Sequence, residues 1–342
     1  MLGDKKLISE RYSKKYPDWK DLPLARKIQK ENPTIFKTVE TARSSLRTVR
    51  GKQGNARRKD ATDQKPITHD TRSWKPFKKE VETTAKVLIL DIETAPIMAY
   101  VWNIWNQNIA TNQIQSDWFC LTWAAKWLFE EKVYSGSVTP KEAKEQNDSR
   151  MIKGIWELVN QADIVIAHNG NKFDMPKLNS RFIINGLMPP LPYQTIDTFL
   201  HIRKQFGFTS NKLDYVNQLL NLPRKIENEG MPLWIKCLKG DKEALDKMLE
   251  YNIGDVRILE NTYLNIRAWI KPHPNMGLFI LDEHERCPSC GSDDLKAEGK
   301  LYHTTANTYE VFRCSNCNST GRKRKGNTTV TQKRHSLMSL PR

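Results

Sequence analysis

The sequence predicts an α/β protein in which helices pack around a sheet, with a small helical unit ahead of it and a small cysteine-bearing unit behind. Three observations predict this. The apolar runs around Leu88-Ile89-Leu90 and Ile164–Ala167 have the length of buried strands, and strand patterns come first, followed by strand alternating with helix. Residues 1–50 carry helical spacing of apolar residues and no strand pattern. Near the end, Cys287-x₂-Cys290 and Cys314-x₂-Cys317 form two metal-type pairs.

In chain order, "DLPLARKIQKENP" (21–33) has the period and the Asn-Pro stop of a helix. "TIFKTVETARSSLRTVRG" (34–51) spaces Ile35, Val39, Ala42, Leu46 and Val49 by three and four and closes on Gly51. Two such helices, the second bearing Arg43, Arg47 and Arg50, make 1–51 a helix-turn-helix-like nucleic-acid-binding unit. A plain basic helical hairpin is the other reading. Residues 52–84 mix charge with Gly, Thr and Pro and form a basic linker.

The third segment, 85–272, starts with the strand "KVLIL" and places two aromatic-rich strands in 118–138. A helix over 147–162, a strand over 163–169 and helices over 174–187, 211–222 and 241–270 follow from period. Trp102, Trp105, Trp118, Trp123 and Trp127 are expected mostly in the core, with one or two available to stack on bases.

The net charge of +16 is uneven: +12 over 1–80, +7 over 319–342 and −3 between them. Basic ends around an acidic middle suit flanks that hold a polyanion and a centre that binds cations. The N-terminus lacks the apolar core of a secretory signal, and no stretch nears the roughly 18 apolar residues of a membrane span. Paired rather than scattered cysteines indicate metal binding in a reducing compartment, hence a cytoplasmic location.

Carboxylates gather at element ends. Asp91-Ile-Glu93 ends a strand, and residues two apart in a strand share a face. "AHNGNKFDMPKL" (167–178) runs from a strand through His168 and Asn169 to Phe173-Asp174. In "YNIGDV", Tyr251 and Asp255 lie four apart on one helix face. Ligands of open α/β sheets collect at the carboxyl ends of strands, and four acids there cannot all stay ionised without cations. Hard oxygen ligands suit two Mg²⁺ or Mn²⁺, the pair that clamps in-line attack of water on a phosphodiester. His168 is expected to shape its turn rather than to bind metal.

D-I-E-T, N-x₃-F-D-x-P-x-L and Y-x₃-D-V, in that order, resemble the DEDD exonucleases of the ribonuclease-H-like superfamily, in the subgroup with Tyr in the third motif. The likeness is to the proofreading domains of B-family DNA polymerases and their stand-alone relatives, over roughly 85–270. It implies a ribonuclease-H-like mixed sheet with helices on both sides and metal-dependent 3′→5′ hydrolysis of DNA, at single strands or 3′ ends, by a two-metal-ion mechanism. By position it makes Asp91, Glu93, Asp174 and Asp255 the Mg²⁺ or Mn²⁺ ligands, Tyr251 the residue that positions water, and Asn169 and Phe173 the substrate-binding residues. "TIDT" (195–198) resembles a family strand, with Asp197 near the site but outside the ligand set. The helical head is similar to segments ahead of phage-encoded nucleic-acid enzymes. RNA as substrate, structure-specific cleavage, and a non-catalytic binder of the same fold stay open.

Cys287, Cys290, Cys314 and Cys317 suit one structural Zn²⁺ in a small unit over 281–320 that resembles a zinc ribbon. Pro288, Gly291 and Asn316 suit tight knuckles, and four thiolates leave no place for His303. In the basic tail, 321–342, Lys323, Arg324 and Lys325 are expected to contact phosphates. The expected partner is nucleic acid, DNA before RNA, and no membrane.

Overall fold

The computed structural model describes residues 2–50, 81, 83–106, 108–225, 228–305, 307–323 and 325–331. Gly51 of the helical unit and most of the expected linker (52–80 and 82), together with Arg324 and 332–342 of the basic tail, lie outside the described residues. The chain divides into two compact units, Met1–Lys65 and Pro66–Arg342.

The described residues of the first unit hold three helices, α1 (Leu2–Lys15), α2 (Asp21–Glu31) and α3 (Val39–Val49). The expected second helix starts later than its apolar period, because Thr38 caps α3 by accepting from Thr41 N–H at 3.2 Å. Leu24, Ala25, Ile28, Phe36, Ala42 and Leu46 form its core. Arg50, expected among the outward bases, is spent inside the unit. Its guanidinium donates to Asp21 at 3.0 Å and to the carbonyls of Tyr16 and Trp19. Arg47 remains exposed.

In the second unit, β1 (Val87–Thr94), β4 (Cys120–Trp127), β5 (Tyr134–Ser137), β6 (Ile164–Ala167) and β7 (Gln194–Asp197) form a mixed sheet in the order β5-β4-β1-β6-β7. β4 and β5 run antiparallel to their neighbours, while β1, β6 and β7 run parallel. A short hairpin of β2 (Met98–Ala99) and β3 (Ile114–Ser116) projects between β1 and β4. The apolar alternation of β1 feeds two cores. Leu88, Leu90 and Ile92 pack on α5 (Ser149–Gln161) and α6 (Asp174–Ile184). Val87 and Ile89 share the other core with α8 (Leu213–Leu219) and the C-terminal half of α10 (Lys242–Ile266). The expected mixed sheet with helices on both faces is therefore present.

Period reading passed over α4 (Pro140–Glu145), α7 (Thr198–Gln205) and α9 (Met231–Leu238), which are too short to declare a helical period. The expectation that the tryptophans are mostly core is corrected: of the five, only Trp123 is buried. Trp102 and Trp105 lie between β2 and β3 and are exposed.

The cysteine unit is a three-stranded sheet, β10-β9-β8, of β8 (Leu295–His303), β9 (Thr308–Cys314) and β10 (Thr320–Arg322). Its two knuckles close alike, Cys287 N–H on Ser292 O at 2.8 Å and Cys314 N–H on Ser319 O at 2.9 Å. Gly291 (φ +79°) takes the left-handed position in the first and Asn318 (φ +62°), rather than Asn316, in the second. Lys323 faces Glu310 at 3.2 Å and Glu285 at 3.5 Å, so its charge is partly met within the chain.

Candidate metal centre and its carboxylates

β1 pairs with β6 only as far as Ile89, opposite Ile166, yet it continues to Thr94 alongside β4. Asp91 and Glu93 lie on this overhang, on the face turned to α10. Past the end of β6, the Ile92 N–H has no strand to bond, and Asp174 Oδ1 accepts it at 3.2 Å. Asp174 is the first residue of α6, where the helix dipole favours an anion.

The structure brings carboxyl oxygens of Asp91, Glu93 and Asp255 within 4.8 Å of one another. Asp174 stands beside this trio, with one oxygen committed to Ile92. Asp255 is 2% exposed, and its Oδ1 is buried without a hydrogen-bond partner among the described residues. An orphaned buried carboxylate oxygen facing two further carboxylates is the kind of donor set that suits a hard cation, so these residues fit a divalent metal.

Burial is the main cause of the perturbed acids. It raises Asp91 well above the carboxylate range, aided by Asp174, Asp255 and Glu93. Burial, then Asp255, pushes Glu93 up to about 7. Burial also pushes Asp174 up to about 7, opposed by the Ile92 N–H. Asp255 is raised by burial against the opposing pull of Lys225.

Lys225 was not foreseen. Its ammonium pairs with Asp255 and lies 3.2 Å from the Tyr251 hydroxyl. Burial disfavours its charge, but Asp255 and Asp91 outweigh burial and hold it above the usual lysine range. Nothing in its loop sequence, "LPRK", separates it from a surface lysine. Asn252 was missed too: its Nδ2 donates to Asp91 Oδ2 at 2.6 Å, and its Oδ1 accepts from Thr122 Oγ1 at 3.3 Å. The signal was available, because Asn252 precedes Asp255 by three and shares its helix face. Tyr251 sits one turn before Asp255, as expected. Burial pushes its phenol up to about 12, so it keeps its proton at neutral pH.

The turn after β6 carries the expected substrate-binding residues. Asn169 adopts φ +68°, and a Cβ on Gly170 would lie 2.4 Å from that of Ala167, so the turn is too tight for a larger residue there. Buried Asp197 accepts from Asn169 N–H at 3.0 Å and Asn171 N–H at 3.1 Å, which makes it a brace for the turn. His168 binds Thr198 Oγ1 at 2.9 Å and the Asn211 carbonyl at 3.0 Å, in keeping with a turn-shaping role. Phe173 is 38% exposed beside the acids.

The second centre is the cysteine cluster, whose four sulfurs lie within 4.8 Å of one another. Cys287 and Cys317 Sγ are 3.6 Å apart, and Cys290 and Cys314 Sγ 3.7 Å. A tetrahedron with Zn–S of about 2.3 Å has edges of about 3.8 Å, whereas a disulfide would need about 2.05 Å. The cluster fits zinc. His303 instead faces Thr308 Oγ1 at 3.4 Å.

Residues 122–266 match the sequence model of the RNase_H superfamily. No curated protein matches the chain. Among solved structures, the chain is similar to the family B DNA polymerase from the hyperthermophilic archaeon Pyrobaculum calidifontis, at 14% identity and a TM-score of 0.39. That similarity covers 56% of this chain and 26% of the polymerase, so the chain spans about a quarter of that protein's length.

Proposed function

From a ribonuclease-H-like nuclease fold that gathers its carboxylates on one strand overhang, we propose that this protein is a metal-dependent 3′→5′ exonuclease acting on DNA ends. The observation that carries the proposal is the convergence of Asp91, Glu93 and Asp255 around the orphaned Oδ1 of Asp255. A protein that only binds nucleic acid has no use for like charges buried together at a cost in stability.

Asp91, Glu93 and Asp255, completed by Asp174, would hold two Mg²⁺ or Mn²⁺. When bound, these ions supply Lewis-acid stabilisation of the charge that develops on the phosphoryl oxygens and on the departing 3′ oxygen. Asn252 holds the Asp91 carboxylate in place. The protonated Tyr251 hydroxyl orients the water that attacks phosphorus in line. The new P–O bond forms as the P–O3′ bond breaks; the water gives up a proton to solvent, the departing 3′ oxygen takes one up, and a nucleoside 5′-monophosphate is released. Asn169 and Phe173, on the turn braced by Asp197, would seat the terminal nucleotide. Zinc at the four cysteines would serve folding of the ribbon. Among the described residues no helix is long and apolar enough to cross a membrane.

The test is cleavage of 3′- and 5′-labelled DNA and RNA oligonucleotides with Mg²⁺, Mn²⁺ or EDTA. The expected result is stepwise loss from the 3′ end of DNA, abolished by EDTA and by Asp91→Ala. Cleavage by Asp91→Ala equal to that of the wild type overturns the site assignment.

A further inference from the structure

We propose that the β2–β3 hairpin is a base-stacking arm that grips unpaired nucleotides close to the cleaved end, an inference that rests on the nuclease reading above. From Ala95 to Ser116 the chain has no Lys, Arg, His, Asp or Glu, although charged residues make up 27% of the whole. In their place are ring side chains and amides, among them Tyr100, Trp102, Asn103, Asn106, Asn108 and Asn112. Trp102 is 96% exposed, Ile104 85% and Tyr100 72%.

The hairpin is built rather than slack. Met98 pairs with Ser116 and Ala99 with Ile114. Tyr100 N–H donates to the Gln113 carbonyl at 2.9 Å, and the Gln113 side chain bonds the Tyr100 carbonyl at 3.0 Å and Ala110 N–H at 2.8 Å. A framed strand pair that presents a tryptophan almost wholly to water is a surface awaiting a partner.

Both roots of the hairpin lead to the acids. Its outgoing root is the end of β1, directly after Glu93-Thr94. Its return root leads to Trp118, whose ring lies 3.6 Å from Lys177 Nζ, and the same ammonium lies 5.2 Å from the Phe173 ring. Phe173 adjoins Asp174. Trp118, next to the hairpin's return strand, and Phe173, next to the acids, thus share one ammonium.

The occupant follows from what the arm lacks. Without a cation it has no charge to attract phosphates. Rings offer stacking to any base, and amides offer a donor and an acceptor to base edges. Unpaired bases match this chemistry, and the link from the return strand through Trp118 and Lys177 to Phe173 leads from the hairpin toward the acids.

The test is fluorescence anisotropy on the full-length protein in EDTA. The probes are a labelled oligothymidylate of roughly 20 nucleotides and the same oligomer with abasic positions near its 3′ end. Trp102→Ala should weaken binding of the intact oligomer roughly 5- to 150-fold, and Trp102→Phe should restore most of it. The slope of log affinity against log salt should not change, because no phosphate contact is lost. The wild type should bind the abasic oligomer no better than Trp102→Ala binds the intact one. Equal affinity of Trp102→Ala and wild type, no preference for intact over abasic DNA, or no binding at all overturns the proposal. So does a change in oligomeric state by light scattering with DNA affinity intact, which makes the hairpin a protein contact. Trp102-dependent binding without any cleavage in Mg²⁺ would sink the nuclease reading and leave the arm standing. Cleavage without Trp102-dependent binding would do the reverse.

Discussion

Replacing Lys225 with Met keeps the aliphatic stem and removes a charge that contacts Asp255 and Tyr251 together. Asp255 is 2% exposed at its side chain and Lys225 28%, so the pair sits between a surface bridge and a buried one. Two unit charges about 4 Å apart attract by about 4 kcal/mol at an effective dielectric of 20. Breaking a buried pair by removing one partner costs about 3–5 kcal/mol, and the partial exposure of Lys225 favours the lower end. In EDTA at mildly alkaline pH the second unit should therefore melt on the order of 5–10 °C lower. With metal the sign reverses. Lys225 competes with a divalent ion for Asp255, so its loss should tighten Mn²⁺ binding by about tenfold or more, since 1.4 kcal/mol is one decade. Differential scanning fluorimetry across an Mn²⁺ titration reads both effects, and calorimetry checks the affinity. An unchanged melting point in EDTA together with unchanged or weaker Mn²⁺ affinity would refute the competition. A collapse of cleavage at saturating Mn²⁺ would instead assign Lys225 to the substrate phosphate.

Glu93 and Asp174, pushed from 4.5 and 3.8 up to about 7, link stability to pH. A folded pKa above the unfolded one gives stability that is present below about pH 4 and lost as pH rises through about 7. For Glu93 alone this is on the order of 3 kcal/mol. Stabilisation by Mn²⁺ should thus grow from pH 5 to pH 8, and a pH-independent gain in melting temperature would contradict the acid cluster. Tyr251→Phe should slow cleavage by roughly 10- to 1,000-fold, the scale of a lost positioning group, with Mn²⁺ affinity unaltered; a shifted metal titration at an unchanged saturated rate would make the tyrosine a ligand-side residue. Elemental analysis should find about one zinc per chain, and Cys314→Ser should lose it and melt the ribbon while the Mn²⁺ response persists; a zinc-free wild type with an intact ribbon would defeat that assignment.

The sheet and the carboxylates were legible because their causes are local. Leu88-Ile89-Leu90 declares a buried strand by composition, Asp91 and Glu93 share a face by the strand repeat, and Tyr251 and Asp255 do so by the helix repeat. Lys225 was illegible because its partner lies thirty residues on, and only the tertiary fold turns an ordinary loop lysine toward Asp255. Arg50 shows the converse: a residue that composition assigns to the outer face is drawn inward by the carbonyls at the end of α1 and the start of α2. The tryptophans of the hairpin were misread because apolar rings usually find a core. Trp102 is left out of one because no element among the described residues covers it, which no local pattern records.

The long helix α10 constrains how relatives of this protein can vary in length. Its first turns contribute Ala244, Leu245 and Met248 to one core, and its later turns contribute Val256, Leu259 and Tyr263 to the other. One added or deleted residue between Met248 and Asp255 would rotate the latter by about 100° and point it away from Asp91. The two cores would hold the halves of the helix in conflicting phases, and no slide along the axis could satisfy both. Length changes should therefore collect at the tip of the β2–β3 hairpin, while the span from Met248 to Tyr263 keeps a fixed residue count.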